Sequence, residues 1–401
     1  MTNTKKALLV TTVSGFVPQF EMNNVRILQS MGYEVHYAAN YSTPSYGKDN
    51  HRLDGTGIIR HQIDFVRSPF KPANFTIYRQ LCSLMQKERF DLVHCHTPMG
   101  SVIARLAAHA THTGPVIYTA HGFHFYHGAS LVNWLCYYPM ERFLSRFTDQ
   151  QICINQEDYN RAKKSFHAKY IDYIPGVGID LNQIPKLDKD TIEHKKKELG
   201  LPSDKWILMS SGELIKRKNH EAVIRAMAKL KDTQTSADIP THNIHYAICG
   251  HGQLDNYLAQ LVEELDVTDM VTFLGYREDI LEVYQTADIF IFPSYQEGLP
   301  VALLEAMASG LPVICSDIRG NQDLMGQPEK KCENLEYCQG GIMVTHTDSP
   351  EEYCLAILQM LSSPQKLPAM GAANQLKSQN FSIASVSDTM AQIYTRFQSK
   401  R

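Results

Sequence analysis

Short apolar runs alternate with amphipathic segments along the whole chain of 401 residues, and this alternation restricts the fold more than any other feature. The apolar runs are nearly continuous, as is typical of parallel strands that are covered on both faces. The segments between them have the period of helices with one apolar face. We therefore predict an α/β protein built on parallel sheets. The predicted strands are 7–13, 34–39, 91–96, 115–120, 151–155, 206–211, 245–250, 271–274, 288–293, 312–317 and 341–344.

Helical patterns fill the intervals between these strands. The helix expected at 351–361 has a clear start signal: Ser349 is the N-cap, Pro350 takes the first helical position and Glu352 completes a capping box. The other predicted helices are 20–31, 75–89, 99–112, 131–147, 156–166, 219–231, 253–265, 278–286 and 300–309.

Glycine and proline are concentrated between residues 176 and 204, and this segment separates an earlier group of strands from a later one. We predict two doubly wound, Rossmann-like domains facing across a cleft, at residues 1–180 and 181–379. A last helical pattern at 383–398 follows the final strand, and we expect segment 380–401 to cross back onto the first domain. In such folds ligands bind beyond the carboxyl ends of the strands.

Charge and cysteine content exclude several classes of protein. The nine cysteines are scattered, which is typical of a reducing compartment and not of a disulfide framework. Residues 1–180 carry 18 basic and 13 acidic residues, a net charge of +5 in a chain whose total is −3. This mild asymmetry does not resemble the basic patch of a nucleic-acid binder. We expect a cytoplasmic protein without a signal peptide or membrane span, so that any contact with the membrane is peripheral.

The stretch from Glu297 to Glu305 carries the clearest chemistry. A strand ends, Gly298 opens the backbone, and Pro300 begins a helix whose first amides are free to bind an anion. A carboxylate lies on each side of that helix start, an arrangement that suits a ligand with phosphates in its middle and hydroxyls at both ends. A nucleotide sugar is such a ligand. A helix start with two incidental glutamates explains the spacing equally well.

The complete stretch, Glu-Gly-Leu-Pro followed by Glu-Ala-Met-Ala-Ser-Gly-Leu-Pro-Val, resembles the donor-site signature of family-4 retaining glycosyltransferases of the GT-B fold. The resemblance implies that Glu305 binds the ribose hydroxyls and that Glu297 binds the sugar hydroxyls. It also implies that the backbone amides near Leu299, Pro300 and Val301 hold the sugar or diphosphate. It extends over nearly the whole chain, including 273–279, where it assigns Arg277 to the donor site, and 174–180.

A cationic loop follows the strand 206–211. A loop of this kind can stabilise a departing diphosphate, although three adjacent cations are more often a solvated turn. In the family a pair of cations holds the diphosphate, and Lys218 matches the family's lysine. The family's usual arginine is replaced here by Glu213, so either Arg217 or Lys216 takes over or the site has one cation fewer. We expect Arg217 to do so.

Two loops of the first domain complete the predicted site. By resemblance, Gly15 and Phe16 after the first strand bring the backbone to the donor, although an ordinary turn is an alternative. The sequence His-Gly-Phe-His-Phe at 121–125 resembles a loop of bacterial capsular, exopolysaccharide and lipid-linked oligosaccharide transferases. This resemblance implies that His121 contacts the donor sugar near the reacting carbon, while His124 and Tyr126 shape the acceptor side. We interpret His127 as structural.

The predicted reaction transfers a hexose or N-acetylhexosamine from a UDP-sugar to a hydroxyl acceptor with retention of the anomeric configuration. The resemblance implies that the acceptor is a polyprenyl-diphosphate-linked saccharide of cell-surface polysaccharide assembly. We assign catalytic roles to His121, Glu297, Lys218 and Arg217, and we expect no metal and no cofactor besides the donor. A UDP-sugar 2-epimerase and a non-catalytic sugar-nucleotide-binding subunit are alternatives. A nicotinamide dehydrogenase is disfavoured because no Gly-x-Gly-x-x-Gly follows the first strand.

Overall fold

The computed structural model describes residues 4–43, 45, 49–232 and 243–398. It divides the chain into two compact units: the first comprises the residues up to Val177 and the segment from Ile383, and the second is Gly178–Ser382. The sequence analysis puts these boundaries at 180 and 379, and the structure has them at 177 and 382. The predicted class, an α/β protein of two doubly wound Rossmann-like domains, is confirmed.

The described residues of the first unit form a sheet of seven strands in the order β3-β2-β1-β4-β5-β6-β7, in which neighbouring strands run parallel. The strands are β1 Lys5–Val13, β2 Tyr33–Asn40, β3 Ile59–Gln62, β4 Leu92–Cys95, β5 Val116–Ala120, β6 Gln150–Cys153 and β7 Tyr170–Tyr173.

The central strand β1 shows why the apolar runs of this chain are continuous. Successive side chains of a strand point to opposite faces of the sheet. Leu8 and Val10 are fully buried in a core on one face, while Ala7 and Leu9 are fully buried in a core on the other. Because helices cover both faces, the middle of the strand is apolar on both sides, and the buried Thr11 and Thr12 come only towards its carboxyl end.

Helices of the first unit follow the strands in the predicted alternation. A short π-helical turn at Val17–Glu21 leads into the first helix. The helices are α1 Met22–Ser30, α2 Ala73–Glu88, α3 Pro98–Thr111, α4 Leu131–Leu144 and α5 Gln156–Ser165.

The C-terminal helix α14, Ile383–Gln398, packs into the core of the first unit. The Tyr394 hydroxyl lies 2.8 Å from Nδ1 of His94, and both side chains are fully buried. The Gln398 amide donates to the Met31 carbonyl at 3.2 Å. The end of the chain is therefore part of the first unit, although the whole of Gly178–Ser382 precedes it in the sequence.

The second unit contains a sheet of eight strands within the described residues, in the order β10-β9-β8-β11-β12-β15-β14-β13. Strand β14 is antiparallel to both of its neighbours, β15 and β13, whereas the other pairs of strands are parallel. The strands are β8 Trp206–Ser211, β9 Ile244–Cys249, β10 Val271–Gly275, β11 Ile289–Phe292, β12 Val313–Ser316, β13 Lys330–Cys332, β14 Leu335–Cys338 and β15 Gly341–Val344.

Four strands were not predicted: β3, β7, β13 and β14. Strands β3, β7 and β13 are edge strands without a buried residue, whereas β14 lies next to an edge and is mostly buried. An edge strand of this kind has no apolar run from which it can be predicted.

Helices of the second unit include one inside the segment that the sequence analysis places between the domains. Lys189–Glu198 forms helix α6, with Asp188 as its N-cap. The other helices are α7 His220–Asp232, α8 Asp255–Glu264, α9 Ile280–Tyr284, α10 Val301–Ala308, α11 Asn321–Met325, α12 Pro350–Leu361 and α13 Leu367–Ser378. No helix in the described part of the chain is sufficiently long and apolar to cross a membrane.

Helix α12 begins as predicted, with one difference. The Ser349 side chain accepts a hydrogen bond from the Glu352 amide, and Pro350 occupies the first turn. The prediction that Glu352 completes a capping box is wrong, because its carboxylate does not accept from the backbone amide of Ser349. The Glu352 carboxylate accepts from the amide of His346 at 2.9 Å and contacts the His346 imidazole at 2.5 Å, so it closes the preceding turn and not the N-cap.

A buried ion pair joins helices α3 and α4. The Arg105 guanidinium donates to both carboxylate oxygens of Glu141, at 2.9 and 3.2 Å, and it lies 4.1 Å from the centre of the Tyr118 ring. Both charged side chains are almost completely buried. An arginine in such a place depends on its partner because water cannot reach it.

We expect Glu141→Gln to lower the free energy of unfolding of the first unit by about 3–5 kcal/mol, because the substitution leaves a buried guanidinium without a counter-charge. Urea unfolding followed by Trp134 fluorescence in a Trp206→Phe background reports on this unit alone. The matched control is Asp54→Asn, which breaks an exposed pair with Arg60 and should cost at most about 1 kcal/mol. Equal losses in the two variants would contradict the assignment.

Candidate functional site

Two neighbouring strands of the second sheet bring the predicted donor residues together. Strands β8 and β11 pair in parallel, so their carboxyl ends meet at the same edge. The cationic turn 212–219 follows β8, and the loop 293–300 follows β11. Residues that are about eighty positions apart in the sequence thus become neighbours.

Glu297 lies at the centre of this cluster. Its Oε1 accepts from Arg217 at 2.8 Å and from the Lys218 ammonium at 2.8 Å. The Lys218 ammonium also lies 4.7 Å from the centre of the Phe292 ring, which fixes its position further. Burial by itself would raise the pKa of Glu297, but Lys218 and Arg217 outweigh burial and lower it. The carboxylate is therefore ionised at neutral pH.

The structure distinguishes between the candidate cations. Arg217 and Lys218 share the Glu297 carboxylate, whereas the side chains of Lys216 and Glu213 are exposed to solvent. Arg217 is 41% exposed and Lys218 only 13%, so the lysine is the more firmly held of the two. The structure brings Arg217 and Lys218 together. That Arg217 holds the diphosphate of the donor together with Lys218 remains a prediction.

Two residues that the sequence analysis overlooked hold the loops in place. Asn219 adopts a left-handed conformation with φ 55°, and its side-chain amide donates to the carbonyls of Pro293 and Thr347. The Arg319 Nε donates to the Glu297 carbonyl at 3.0 Å. Asparagine is one of the few residues that tolerate this backbone conformation. An asparagine directly before a helix was therefore the sequence signal that could have identified Asn219.

The start of helix α10 differs by one residue from the prediction. Pro300 is the N-cap and not the first helical residue, and its carbonyl accepts from the Leu304 amide. No side chain caps this end, so the amides of the first turn keep their capacity to bind an anion. The loop before the helix leaves no room for a side chain at Gly320, whose Cβ would lie 2.2 Å from the Gly298 carbonyl oxygen. Leu299 is buried, so only its backbone can face a ligand.

Glu305 has the opposite electrostatic environment to Glu297. It lies on α10, and burial raises its pKa to about 7. No cation among the described residues forms an ion pair with it. Its carboxyl group is therefore close to half ionised at neutral pH, and hydroxyl donors from a ligand would stabilise the ionised form.

The structure places Arg277 in a different network. Its guanidinium donates to Asp279 at 2.7 and 2.5 Å and to Glu198 at 3.4 Å, and Lys195 also pairs with Asp279. None of the hydrogen bonds found for Arg277 in the described part of the chain goes to Glu297 or its cations. The predicted donor role of Arg277 remains a prediction that this geometry does not support directly.

A second cluster lies in the first unit, at the carboxyl ends of its strands. His121 directly follows β5, His96 directly follows β4, and Glu21 ends the π-helical turn. The Nε2 of His121 lies 3.1 Å from Nδ1 of His96 and 3.5 Å from Oε1 of Glu21, and the remaining side of the triangle is 3.4 Å. These three atoms are of the kind that could hold a metal ion. The spacing of the histidines within 121–127 could not show this, because the three residues come from separate segments of the chain.

Burial keeps this cluster uncharged at neutral pH. It lowers the pKa of His121 to about 4 and that of His96 well below its ordinary value. It raises the pKa of Glu21 to about 8, while a hydrogen bond from Asn24 acts in the opposite direction. Sequence reasoning missed Glu21 and His96, because a lone glutamate in a helical pattern and a histidine at a strand end have no local signal.

The other predicted residues of the first unit lie around this cluster. The ring of Phe16 is buried and meets the ring of His121 edge-on, with 4.9 Å between centres. Gly15 is required by space, since a Cβ there would lie 1.5 Å from the carbonyl oxygen of Ser45. His124 stacks on Tyr137 at 4.7 Å.

The rest of the histidine loop is held by the first turn of α5. The amide of Phe123 donates to Asp158 and the amide of His127 donates to Glu157. Phe123 and Phe125 are core residues with 2% and 0% exposure, so these two rings pack inside the unit and do not shape a ligand surface. Tyr126 is partly exposed, and its acceptor role remains a prediction.

Comparison with known families agrees with the division of the chain. Residues 191–377 match the model of glycosyl transferases group 1, and residues 22–183 match that of glycosyltransferase family 4. The putative glycosyltransferase EpsD of Bacillus subtilis is 34% identical over 397 residues, covering 98% of this chain and 97% of the relative. The UDP-Gal:alpha-D-GlcNAc-diphosphoundecaprenol alpha-1,3-galactosyltransferase of Escherichia coli is 30% identical, covering 65% of this chain and 69% of that protein.

Solved structures agree on the fold. The Anabaena protein Alr3699/HepE in complex with UDP-glucose superposes with a TM-score of 0.74 at 18% identity, over 98% of this chain and 99% of the other. Together with the two family matches and the EpsD alignment, this shows that the chain belongs to the family-4 glycosyltransferases of the GT-B fold.

Proposed function

We propose that this chain is a retaining glycosyltransferase that moves a hexose or N-acetylhexosamine from a UDP-sugar to a hydroxyl of a polyprenyl-diphosphate-linked saccharide. The product belongs to cell-surface polysaccharide assembly at the inner face of the plasma membrane. The observation that carries the proposal is the convergence of Lys218 and Arg217 on one oxygen of Glu297, beside a helix start without a side-chain cap.

The cations serve the leaving group. In the free protein Glu297 balances them, so two positive charges are held in position at little electrostatic cost. A departing UDP gains negative charge on its diphosphate as the glycosidic bond breaks. Cations and helix-start amides that are already oriented stabilise this charge without reorganisation. Only one oxygen of Glu297 is shared by the cations, so the other can accept from sugar hydroxyls.

Glu305 and His121 have separate tasks in this proposal. The Glu305 carboxylate accepts from both ribose hydroxyls, which supplies affinity for the nucleotide. His121 orients the transferred sugar near its reacting carbon and so contributes to turnover. The leaving phosphate takes the proton of the acceptor hydroxyl, and no metal or further cofactor takes part.

The relatives support the choice of substrates. The Escherichia coli relative is named for a UDP-galactose donor and a diphosphoundecaprenol-linked acceptor, and the Anabaena structure contains UDP-glucose. A UDP-sugar 2-epimerase on the same fold is the alternative enzyme, and a sugar-nucleotide-binding subunit is the non-catalytic alternative. Epimerisation of a UDP-sugar without acceptor would favour the first, and binding of a UDP-sugar without transfer would favour the second.

One surface of the first unit suits contact with the membrane that carries such an acceptor. Helix α4 exposes apolar side chains at helical spacing: Leu131 is 79% exposed, Leu135 76% and Phe143 49%. Arg142 and Arg146 are exposed next to them, and the Arg146 guanidinium lies 5.9 Å from the Phe143 ring centre. An apolar helix face with adjacent arginines is typical of a segment that lies in the interface of an anionic membrane.

The transfer reaction is tested with labelled UDP-sugars and a lipid-linked saccharide extract. We expect Lys218→Met to lower kcat by about 10²–10³, because a charge that acts on the leaving group is lost. Lys216→Met is the matched control and should leave kcat unchanged, since Lys216 is exposed and lies outside the cluster. Equal rates for both variants would exclude the proposed role, and no transfer by the wild type from any UDP-sugar would exclude the proposed reaction.

We expect affinity for a UDP-sugar to fall as the pH is lowered from about 8 to about 6. The Glu305 carboxylate has a pKa of about 7, and only its ionised form accepts from both ribose hydroxyls. Below that pKa the site loses roughly tenfold in affinity per pH unit if the protonated form does not bind. Isothermal titration calorimetry measures this directly, because the diphosphate diester of a UDP-sugar does not titrate in this range. Glu305→Gln should bind weakly and without this pH dependence; a variant that keeps it would contradict the assignment.

We expect the double substitution of Leu131 and Leu135 by aspartate to reduce binding to phosphatidylglycerol vesicles at least about tenfold, because it puts charge on the apolar face. Vesicle co-sedimentation at low salt is the measurement. Leu376→Asp is the control, since Leu376 is 67% exposed in the second unit. Wild-type protein that does not bind anionic vesicles would exclude this surface as a membrane contact.

A further inference from the structure

His96 and Glu21 both lie against the same ring nitrogen of His121. The Nδ1 of His96 is 3.1 Å from Nε2 of His121, and Oε1 of Glu21 is 3.5 Å from it. His121 is 21% exposed, and its other nitrogen, Nδ1, makes no hydrogen bond that is seen within the described residues. One edge of this imidazole is thus occupied by the protein, which leaves the Nδ1 edge for a ligand.

The proton between the two histidines can lie on either ring. In one arrangement Nδ1–H of His96 donates to Nε2 of His121, and His121 carries its own proton on Nδ1. In the reverse arrangement Nε2–H of His121 donates, and His96 must carry its proton on Nε2. That Nε2 of His96 is buried and has no hydrogen-bond partner in the described structure. An orphaned buried N–H is rarely tolerated, so the first arrangement is favoured.

A comparable pair in the same unit shows what a partner at the remote nitrogen changes. The Nδ1 of His36 lies 2.8 Å from Nε2 of His61, and here the Nε2 of His36 lies 2.8 Å from the Glu34 carboxylate. That carboxylate accepts the Nε2–H of His36, so Nδ1 of His36 is the acceptor. His96 has no such carboxylate at its Nε2, and its Nδ1 is therefore the donor.

Glu21 acts in the same sense. Its side chain is 2% exposed, and Oε2 accepts from the Asn24 amide at 2.5 Å. Burial raises its pKa to about 8, so a negative charge beside Nε2 of His121 is disfavoured at neutral pH. Without that charge Glu21 does not draw a proton onto Nε2, which is left as the acceptor of the His96 N–H.

We propose that His96, together with Glu21, is a positioning residue that holds His121 in the tautomer with the proton on Nδ1. The ring then presents its Nδ1–H at the free edge. This N–H can donate to the oxygen of a sugar hydroxyl, whereas the nitrogen cannot accept the proton of that hydroxyl. The identity of the partner rests on the proposed function, whereas the tautomer is a property of the protein alone.

The same three atoms resemble the ligand set of a zinc site, with two imidazole nitrogens and one carboxylate oxygen within 4.8 Å. A histidine that ligates a metal almost always donates its other N–H to a carboxylate, carbonyl or water. His96 would ligate through Nδ1, and no described residue accepts from its Nε2. The hydrogen-bonded arrangement therefore accounts better for this cluster.

The test is the tautomer of His121 in the full chain, read from two-bond ¹H–¹⁵N correlations of ¹⁵N-histidine-labelled protein and assigned with His121→Asn. We expect Nδ1 to be protonated in the wild type. His96→Asn keeps an N–H donor at the position of Nδ1 and should preserve this tautomer. His96→Leu has nearly the same size without the donor, and it should abolish the single Nδ1–H form and lower kcat about 10–100-fold, as loss of an orienting partner does elsewhere.

His36→Leu is the control, because it removes the comparable pair elsewhere in the unit; it should change neither the His121 tautomer nor kcat. A wild-type His121 protonated on Nε2, or a tautomer that is the same in His96→Leu, overturns the proposal. One equivalent of zinc in the purified protein, lost in Glu21→Gln, also overturns it. If the wild type transfers no sugar, the proposed function fails, while the spectra still decide the tautomer.

Discussion

Coverage of both faces of two parallel sheets is the constraint on which the rest of this structure depends. Because helices cover each face, the middle of a strand such as β1 is apolar on both sides, and most of the candidate site residues lie in the loops at the strand ends. Parallel pairing then brings those loops to a common edge. Glu297 meets Lys218 in this way after β11 and β8, and His121 meets His96 after β5 and β4.

Burial has opposite consequences for the two glutamates near helix α10. Glu297 shares its charge with two cations, so its pKa falls despite burial. Glu305 has burial alone, and its pKa rises to about 7. A raised pKa means that the contribution of Glu305 to the stability of the folded protein is greatest at low pH, where this carboxyl group is protonated. That contribution falls as the pH rises from the group's ordinary pKa of 4.5 to about 7. A ligand that donates hydrogen bonds to the ionised carboxylate offsets that loss. The affinity of the second unit for such a ligand therefore depends on the ionisation of Glu305.

The sequence predicts those parts of this molecule whose signal is local. Continuous apolar runs mark the buried strands, and Ser349 and Pro350 mark the start of α12. The stretch 297–305 marks a helix start, with an error of one residue at Pro300. Edge strand β13 was missed because its residues are exposed, and Glu352 was misassigned because its carboxylate turns to His346 instead of its own N-cap. Helix propensity and capping patterns do not predict which of two nearby amides, that of Ser349 or that of His346, a carboxylate will bind.

The residues that sequence reasoning missed act through contacts between loops. Asn219 joins the cationic turn to the loop after β11, and Arg319 holds the Glu297 backbone. His96 and Glu21 reach His121 from separate segments, and neither has a local pattern that marks it. Their effect also depends on an absence that only coordinates reveal, namely that Nε2 of His96 has no acceptor in the described structure. The direction of the hydrogen bond between the two histidines thus depends on the far nitrogen of His96. The chemistry that His121 offers to a ligand follows from that nitrogen of the neighbouring ring.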